Sequence, residues 1–417
     1  MKFAHIADVH LGGWSDPVMT ELNDATFAKA IDLCIQERVD FVLIAGDLFN
    51  TSFPGVDRMK TAIEKFRLLQ KQGIRLYYIA GSHDFSPSGK TMLDLIEKAG
   101  LGVNVAKGSV DADGKLSLRF TTDLPTGAKI TGIVGKKGML DTHYYEVLNR
   151  EAIEREPGFK IFCLHTALTE LKPEGYEHMD SSPLSLLPKG CAYYAAGHVH
   201  VRQTRDLPEY GKIVYPGPLF PNNFKELEAG MGGFYIYSDG ELTFKSVALA
   251  QILSLAINAT DKVPEQLAQE VYTRIGSHDL SNTIILLRFF GQLLKGKASD
   301  VPFREIFHRL SEQHARLVLK NISQLSSREY VEVKLHHSSV EALEEALIAE
   351  HSGQEQYRGI PEKELIFSLM RAFEEEKKEG EVSRSYEERI KSAADQLLQL
   401  AKSAPTPSSN NSSDESF

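Results

Sequence analysis

The sequence predicts a layered α/β fold, and three features of its 417 residues carry that prediction. Five short apolar runs each end in Asp or His, mostly beside a glycine. Over the first two hundred or so residues such runs alternate with segments of helical spacing, the pattern of sheets covered by helices. Beyond residue 249 a smaller strand–helix group follows, and then a stretch rich in Glu, Lys, Ala and Leu.

Taken in order, Phe3-Ala4-His5-Ile6 runs through Ala7 into Asp8-Val9-His10-Leu11-Gly12. Asp8 and His10 are two apart, so on an extended segment both side chains point to one side. Helical spacing follows over Thr20 to Arg38, and then Phe41 to Ala45 runs into Gly46-Asp47. A helix over Val56 to Gln72 precedes Leu76 to Ala80, which runs into Gly81-Ser82-His83-Asp84. Thr91 to Ala99 has helical spacing, and residues 108–135 read as strands and turns. Ile161 to Leu164 ends in His165, and Ala192 to Ala196 ends in Gly197-His198-Val199-His200. Tyr215-Pro216-Gly217-Pro218 and a hairpin about Asp239-Gly240 extend the sheet system. Unbroken apolar runs suit strands buried on both faces. Sites in open α/β sheets gather at the carboxyl ends of strands, so the five ends are expected to converge.

Domains are expected at 1–248, at 249–335 as a smaller α/β unit, and at 336–404 as a linker with helices. A Ser/Asn/Pro-rich tail at 405–417 is expected to be disordered. Within 361–402 two apolar stripes, Leu365/Leu369/Phe373 and Tyr386/Ile390/Leu397, predict a helical hairpin too small to form a core alone. The composition, 42% hydrophobic and 25% charged, is that of a soluble globular protein. No apolar run reaches the length of a membrane span, and the start shows no secretory segment, so a cytoplasmic protein is expected. Cys34, Cys163 and Cys191 show no paired spacing and read as reduced core thiols. The net charge of −10 is concentrated late: residues 320–417 hold 12 Lys+Arg against 19 Asp+Glu. It therefore does not exclude a nucleic-acid partner for the rest.

Asp8, His10, Asp47, His165, His198 and His200 offer carboxylate and imidazole without thiolate, a set suited to Mn²⁺, Fe²⁺ or Zn²⁺. Six such groups exceed the needs of one ion and fit two ions bridged by a carboxylate. Two-ion sites of that kind serve phosphoryl displacement. His83, if its neighbour is the seventh ligand, is free to protonate a leaving oxygen. Any one of these histidines alone would read as an ordinary polar loop residue; the set at strand ends is what carries the reading.

Asp8-Val9-His10, Gly46-Asp47, Gly81-Ser82-His83-Asp84, His165 and Gly197-His198-Val199-His200 resemble the motif set of calcineurin-like metallophosphoesterases. More narrowly, Met1 to Gly12 with Ala45-Gly46-Asp47-Leu48-Phe49 resembles the SbcD-type nuclease family of double-strand-break repair, in its archaeal form. The resemblance covers residues 1–240 and implies an α/β/β/α sandwich with a capping domain and C-terminal helices. It implies two Mn²⁺ ions per subunit and 3′-to-5′ exonuclease and endonuclease activity on DNA ends without sequence preference. It further implies a homodimer and an SbcC-type ABC ATPase partner whose coiled coil meets residues 361–402.

By position, it implies one ion on Asp8, His10, Asp47 and His200, the other on Asp47, Ser82, His165 and His198, and a catalytic His83. Three departures stand out: Ser82 where Asn is usual, Asn50 where many relatives have His, and Pro218 where Ser is common. Dimerisation would use the helices at 56–72 and 91–99, through Leu69, Met92 and Ile96, unless these face the sheet. Lys90, Lys136, Lys137, Arg202 and Arg205 are candidates for the DNA backbone. Competing functions are a phosphoesterase acting on phosphoproteins or small nucleotides, and a DNA-end-binding scaffold with a weakened second metal site.

Overall fold

A computed structural model describes residues 1–86, 91–136, 141–327, 356–357, 360–375 and 383–403. The chain divides into two compact units, 1–329 and 330–417.

The first unit opens with β1 (Lys2–Ile6), α1 (Pro17–Gln36), β2 (Phe41–Ala45), α2 (Val56–Lys71), β3 (Arg75–Ile79), α3 (Met92–Lys98) and β4 (Val103–Asn104). Short strands β5 (Gly108–Val110), β6 (Leu116–Leu118), β7 (Thr121–Asp123) and β8 (Ala128–Gly132) follow. Helices α4 (Thr142–Glu146) and α5 (Arg150–Arg155) lead to β9 (Lys160–His165), β10 (Tyr193–Gly197), β11 (Gln203–Leu207) and β12 (Gly211–Tyr215). Helix α6 (Phe224–Ala229) precedes the hairpin β13 (Gly233–Ser238) and β14 (Glu241–Ser246). The unit closes with β15 (Gln251–Asn258), α7 (Pro264–Ile275), β16 (Thr283–Leu293), α8 (Phe303–Glu312) and β17 (Leu317–Ser327).

Two six-stranded sheets form the body, in the orders β14-β13-β1-β2-β3-β4 and β11-β12-β10-β9-β8-β7. Strand parity explains the unbroken apolar runs. Phe3, Phe41, Leu43, Tyr77 and Ile79 face Ile130, Ile161, Cys163 and Tyr193 of the other sheet. Their neighbours Ala4, Ile6, Val42, Ile44, Leu76 and Tyr78 face outward onto Phe27, Ile31, Phe66 and Leu69 of α1 and α2. The second sheet turns Phe162, Leu164 and Tyr194 outward onto Tyr145 and Ile153 of the short helices. The layering is helix, sheet, sheet, helix. With both faces covered, every position of β2, β9 and β10 is buried.

Local signals set the helix starts. Asp16 caps α1 by accepting from the Val18 and Met19 N–H groups, and Pro17 fits the first turn, so this helix begins ahead of the expected Thr20. Thr91 and Asp94 form a capping box at α3. Leu69 and Ile96, proposed from sequence as a dimer surface, are buried, and Met92 packs against the same core. That expectation is corrected to the sheet-facing alternative. On α2, α3 and the loop before α2, the large apolar groups left exposed among the described residues are Phe53, Val56, Leu68 and Leu95.

Strands β15, β16 and β17 form a parallel three-stranded sheet. Its core, with Ile257, Val271, Leu287, Phe289 and Ile306, is distinct from the sandwich core. A further cluster joins Met19, Leu22, Phe220 and Leu227 of the body to Ile284 and Leu286 of this sheet.

The second unit holds β18 (Gln356–Tyr357), β19 (Ile360–Pro361), α9 (Glu362–Phe373) and α10 (Ser383–Ser403). The two helices pack on one another, and the Tyr386 hydroxyl donates to the Glu375 carbonyl at 3.1 Å. Leu365 is buried, whereas Phe373 and Leu398 are exposed. The expected tail at 405–417 and the linker at 336–355 lie outside the described residues. Cys34, Cys163 and Cys191 are buried and unpaired. Among the described residues no helix is long and apolar enough to cross a membrane.

Candidate metal centre

Four of the candidate residues have a backbone that side chains rarely adopt. Asp8, His10, Asp47 and His198 have φ of 51°, 47°, 52° and 82°. Asp8 and His10 therefore do not sit on an extended segment as expected; they follow the end of β1 in a left-handed turn. Such conformations are costly and concentrate where the fold must aim side chains at one point. Glycine makes the remaining room. Gly46 has φ of +89°, and a Cβ there would meet His165 Nδ1 at 2.1 Å. A Cβ on Gly197 would meet the Ala45 carbonyl at 2.2 Å.

The side chains then converge. Donor atoms of Asp8, His10 and His200 lie within 4.8 Å of one another, as do those of Asp8, Asp47 and His165, and those of His10, Asp47 and His83. Asp47 is central. Its Oδ1 accepts the His83 N–H at 2.7 Å, while its Oδ2 lies 3.1 Å from His165 Nε2 and 3.6 Å from His10 Nε2. Ser82 Oγ is 3.4 Å from the same Oδ2. The His198 ring packs edge-on to His165 with centroids 5.3 Å apart, and the His198 backbone N–H donates to Asp8 Oδ1 at 2.9 Å. Its ring nitrogens do not join the three groups above.

The imidazoles are oriented from behind. His165 Nδ1 donates to the Ala45 carbonyl at 2.8 Å, and His83 Nδ1 donates to the Asn50 carbonyl at 2.8 Å. In each the Nε2 is left facing the centre. His200 Nδ1 meets Glu226 Oε1 at 2.9 Å and His10 Nδ1 meets Asn50 Oδ1 at 3.2 Å. The Nε2 atoms of His10 and His200 then face each other at 3.2 Å. When both rings are neutral these are two lone pairs in contact, a repulsive arrangement that a cation between them reverses. Asp8 Oδ2 is buried with no hydrogen-bond partner, and His165 Nε2 is buried and lies out of line for a bond to Asp47. An oxygen and nitrogen donor set with inward-facing lone pairs fits divalent cations.

Electrostatics agree with a site built for positive charge. Burial alone would push His165 down and Asp47 up. Their mutual attraction, with Asp8 acting on His165 and His10 on Asp47, instead raises the imidazole to about 10 and holds the carboxyl below its usual range. Burial lowers His10 to about 3 and His198 to about 4, the uncharged state a ligand needs.

Two supporting residues carried no role in the sequence reading. Asp84 accepts from the Leu48, Phe49 and Gly81 N–H groups at 3.1, 2.9 and 3.1 Å, tying the turns after β2 and β3 together. It stands inside the motif that was read, beside His83. Glu226 is 26 residues from His200, and its only local signal is the Asn223-x-x-Glu226 start of α6, where Asn223 Oδ1 accepts the Glu226 N–H.

The candidates for a nucleic-acid backbone are scattered. Lys136 Nζ lies 4.8 Å from the Phe85 ring centroid and 4.4 Å from that of Tyr144, and it donates to the Tyr144 hydroxyl. Arg202 stacks over Phe244, and Arg205 donates to the Thr204 carbonyl. Lys90 and Lys137 lie outside the described residues.

Comparison with known proteins adds a family match over the first half of the chain. Residues 1–202 match the calcineurin-like phosphoesterase family. Over 235 residues, 54% of the chain, the sequence is 28% identical to a DNA double-strand break repair protein Mre11 of Archaeoglobus fulgidus, covering 52% of that protein. It is 30% identical to the protein of the same name from Sulfurisphaera tokodaii over 219 residues, covering 51% of the chain and 52% of the relative. It is 26% identical to an uncharacterized metallophosphoesterase, YhaO, of Bacillus subtilis over 258 residues, covering 59% of each. The match thus spans little more than half the length of these curated relatives.

Proposed function

We propose that this chain is a metal-dependent phosphodiesterase that cuts DNA at double-strand ends, as a 3′-to-5′ exonuclease and an endonuclease, with Mn²⁺ as its metal. The carrying observation is the position of Asp47 Oδ2, within 3.1 Å of His165 Nε2 and 3.6 Å of His10 Nε2. One carboxylate oxygen so placed can belong to two ions at once. Asp8, His10, Asp47 and His200 would hold one cation, and Asp47, Ser82, His165 and His198 the other. Divalent cations in such a set supply Lewis acidity toward phosphoryl oxygens.

The chain's own groups do the rest. Asp8 and Asp47 balance the positive charge, and the backbone bonds behind His165 and His83 fix which ring nitrogen faces the phosphate. His83, with Nδ1 committed to the Asn50 carbonyl, can deliver a proton only from Nε2, toward the leaving oxygen. The names of the Archaeoglobus and Sulfurisphaera relatives support DNA over other phosphodiesters. The three-stranded sheet at 251–327 supports a large substrate, since a small phosphoester needs no such addition.

The C-terminal hairpin is assigned to an ABC-type ATPase with a coiled coil, because Phe373 and Leu398 remain exposed on it. A homodimer is supported by Phe53, Val56 and Leu95, exposed on α2, α3 and the loop before them. The Bacillus relative keeps a second reading in view, a phosphoesterase for another substrate. The deciding assay is Mn²⁺-dependent cleavage of linear duplex DNA, with bis-p-nitrophenyl phosphate as control. Hydrolysis of the small diester with no cleavage of DNA would replace the first reading by the second.

A further inference from the structure

Beside the metal centre lies a cavity of about 440 Å³ whose wall includes His200. The segment between β10 and β11 supplies Arg202 to its lining, and Pro216-Gly217-Pro218, Met231 and Phe244 line it as well. The Arg202 guanidinium lies 4.2 Å from the Phe244 ring centroid. Among the described residues it makes no hydrogen bond and no ion pair, so its donors and outer face remain open. Glu226 also reaches this wall, but its carboxylate is engaged by His200 Nδ1, the Asn222 N–H and the Asn223 amide. The uncommitted charge of the cavity is therefore the guanidinium.

From these features we infer that the cavity is a subsite for one nucleotide of a single strand, the one flanking the scissile phosphate. The inference rests on the phosphodiesterase reading above. A nucleotide joins the two chemistries the walls offer: a planar ring with apolar faces, and an anionic phosphate. Pro216, Pro218 and Met231 present apolar surface without directional donors, which holds a base by its face and not by its edge. A guanidinium braced on an aromatic ring both stacks on a base and donates to a phosphate oxygen. The volume falls within the range of about 300–1,000 Å³ usual for ligand sites. Continuity with His200 places whatever fills the cavity next to the reacting group. Pro218, where a serine would have brought a hydroxyl to the lining, becomes part of the fit. Recognition by face and charge predicts no base preference at this step.

The test compares kcat/KM on single-stranded oligothymidylate with kcat/KM on bis-p-nitrophenyl phosphate, which has no nucleoside to fill the cavity. Arg202→Ala is expected to lower that ratio about tenfold or more. Arg202→Lys, which keeps the charge but loses the plane, is expected to recover only part of it. In EDTA, binding of fluorescein-labelled oligothymidylate should weaken in parallel for Arg202→Ala. A ratio within twofold of the parent for Arg202→Ala would overturn the subsite. Full recovery by Arg202→Lys would overturn the stacked nucleotide in favour of a bare phosphate contact. If the parent hydrolyses the small diester but no oligonucleotide, the phosphodiesterase reading for DNA fails, and the subsite fails with it.

Discussion

Removing Glu226 tests whether the centre is held from behind. Its Oε1 accepts from His200 Nδ1 at 2.9 Å, and the two side chains are only 11% and 22% exposed. The bond orients the ring and keeps its Nε2 toward His10. Partners of this kind behind a ligating histidine are worth about 10–100-fold in metal affinity, which is about 1.4–2.8 kcal/mol. Glu226→Ala also releases the Asn222 N–H and the Asn223 amide, so the upper half of that range is expected. Glu226→Gln keeps an acceptor but loses the charge, and the lower end is expected. Calorimetric titration of metal-free protein with Mn²⁺ should show two sites. The one sharing His10 and His200 should weaken, and the one sharing His165 should hold. Two unchanged sites, or two sites weakened alike with a lower melting temperature, would refute the assignment and leave Glu226 a merely structural residue.

Four further outcomes are expected. His83→Ala should lower turnover by about 10²–10⁴ while both ions still bind; loss of an ion in the same titration would make His83 a ligand, as its closeness to His10 and Asp47 allows. Ser82→Asn should reduce the Mn²⁺ concentration needed for half-maximal activity, because an amide oxygen is a stronger donor and reaches further than a hydroxyl 3.4 Å from Asp47; an unchanged or higher requirement would count against Ser82 as a ligand. Burial lowers His5 to about 3, so below its ordinary value near 6.5 the unfolded chain binds the extra proton and stability falls as pH falls. Between pH 7 and pH 5 this costs about 2 kcal/mol, and urea unfolding of His5→Gln should lose that much of the pH dependence; an identical slope would sink the assignment. Deleting residues 355–417 should spare cleavage of short DNA and abolish co-purification with the ATPase, and undiminished binding would clear the hairpin of that role.

The candidate centre was legible because its chemistry is local to strand ends. Gly46-Asp47, Gly81-Ser82-His83 and Gly197-His198-Val199-His200 each carry donor and turn together, so reading strand ends found nearly every side chain that converges. The layered fold was legible for a related reason. Runs such as Phe41 to Ala45 are apolar at every position, which requires cover on both faces. The same property hid which face meets which neighbour, since a strand buried on both sides carries no polar marker of direction. The helices are similar: Leu69 and Ile96 form an apolar stripe whether they face a sheet or a second subunit, and only packing showed them under the sheet.

Backbone conformation was out of reach as well. Asp8, His10, Asp47 and His198 are not residues whose identity demands a positive φ; the convergence of separate turns imposes it. Glu226 and the cavity beside Arg202 depend on α6, β12 and β14 being brought to the end of β10. The sequence by itself determined the donors and their strand ends, because those lie within a few residues of one another. Tertiary structure decided the side chains behind them and the surface beside them, because contacts between residues far apart in the chain leave no period or local pattern to read.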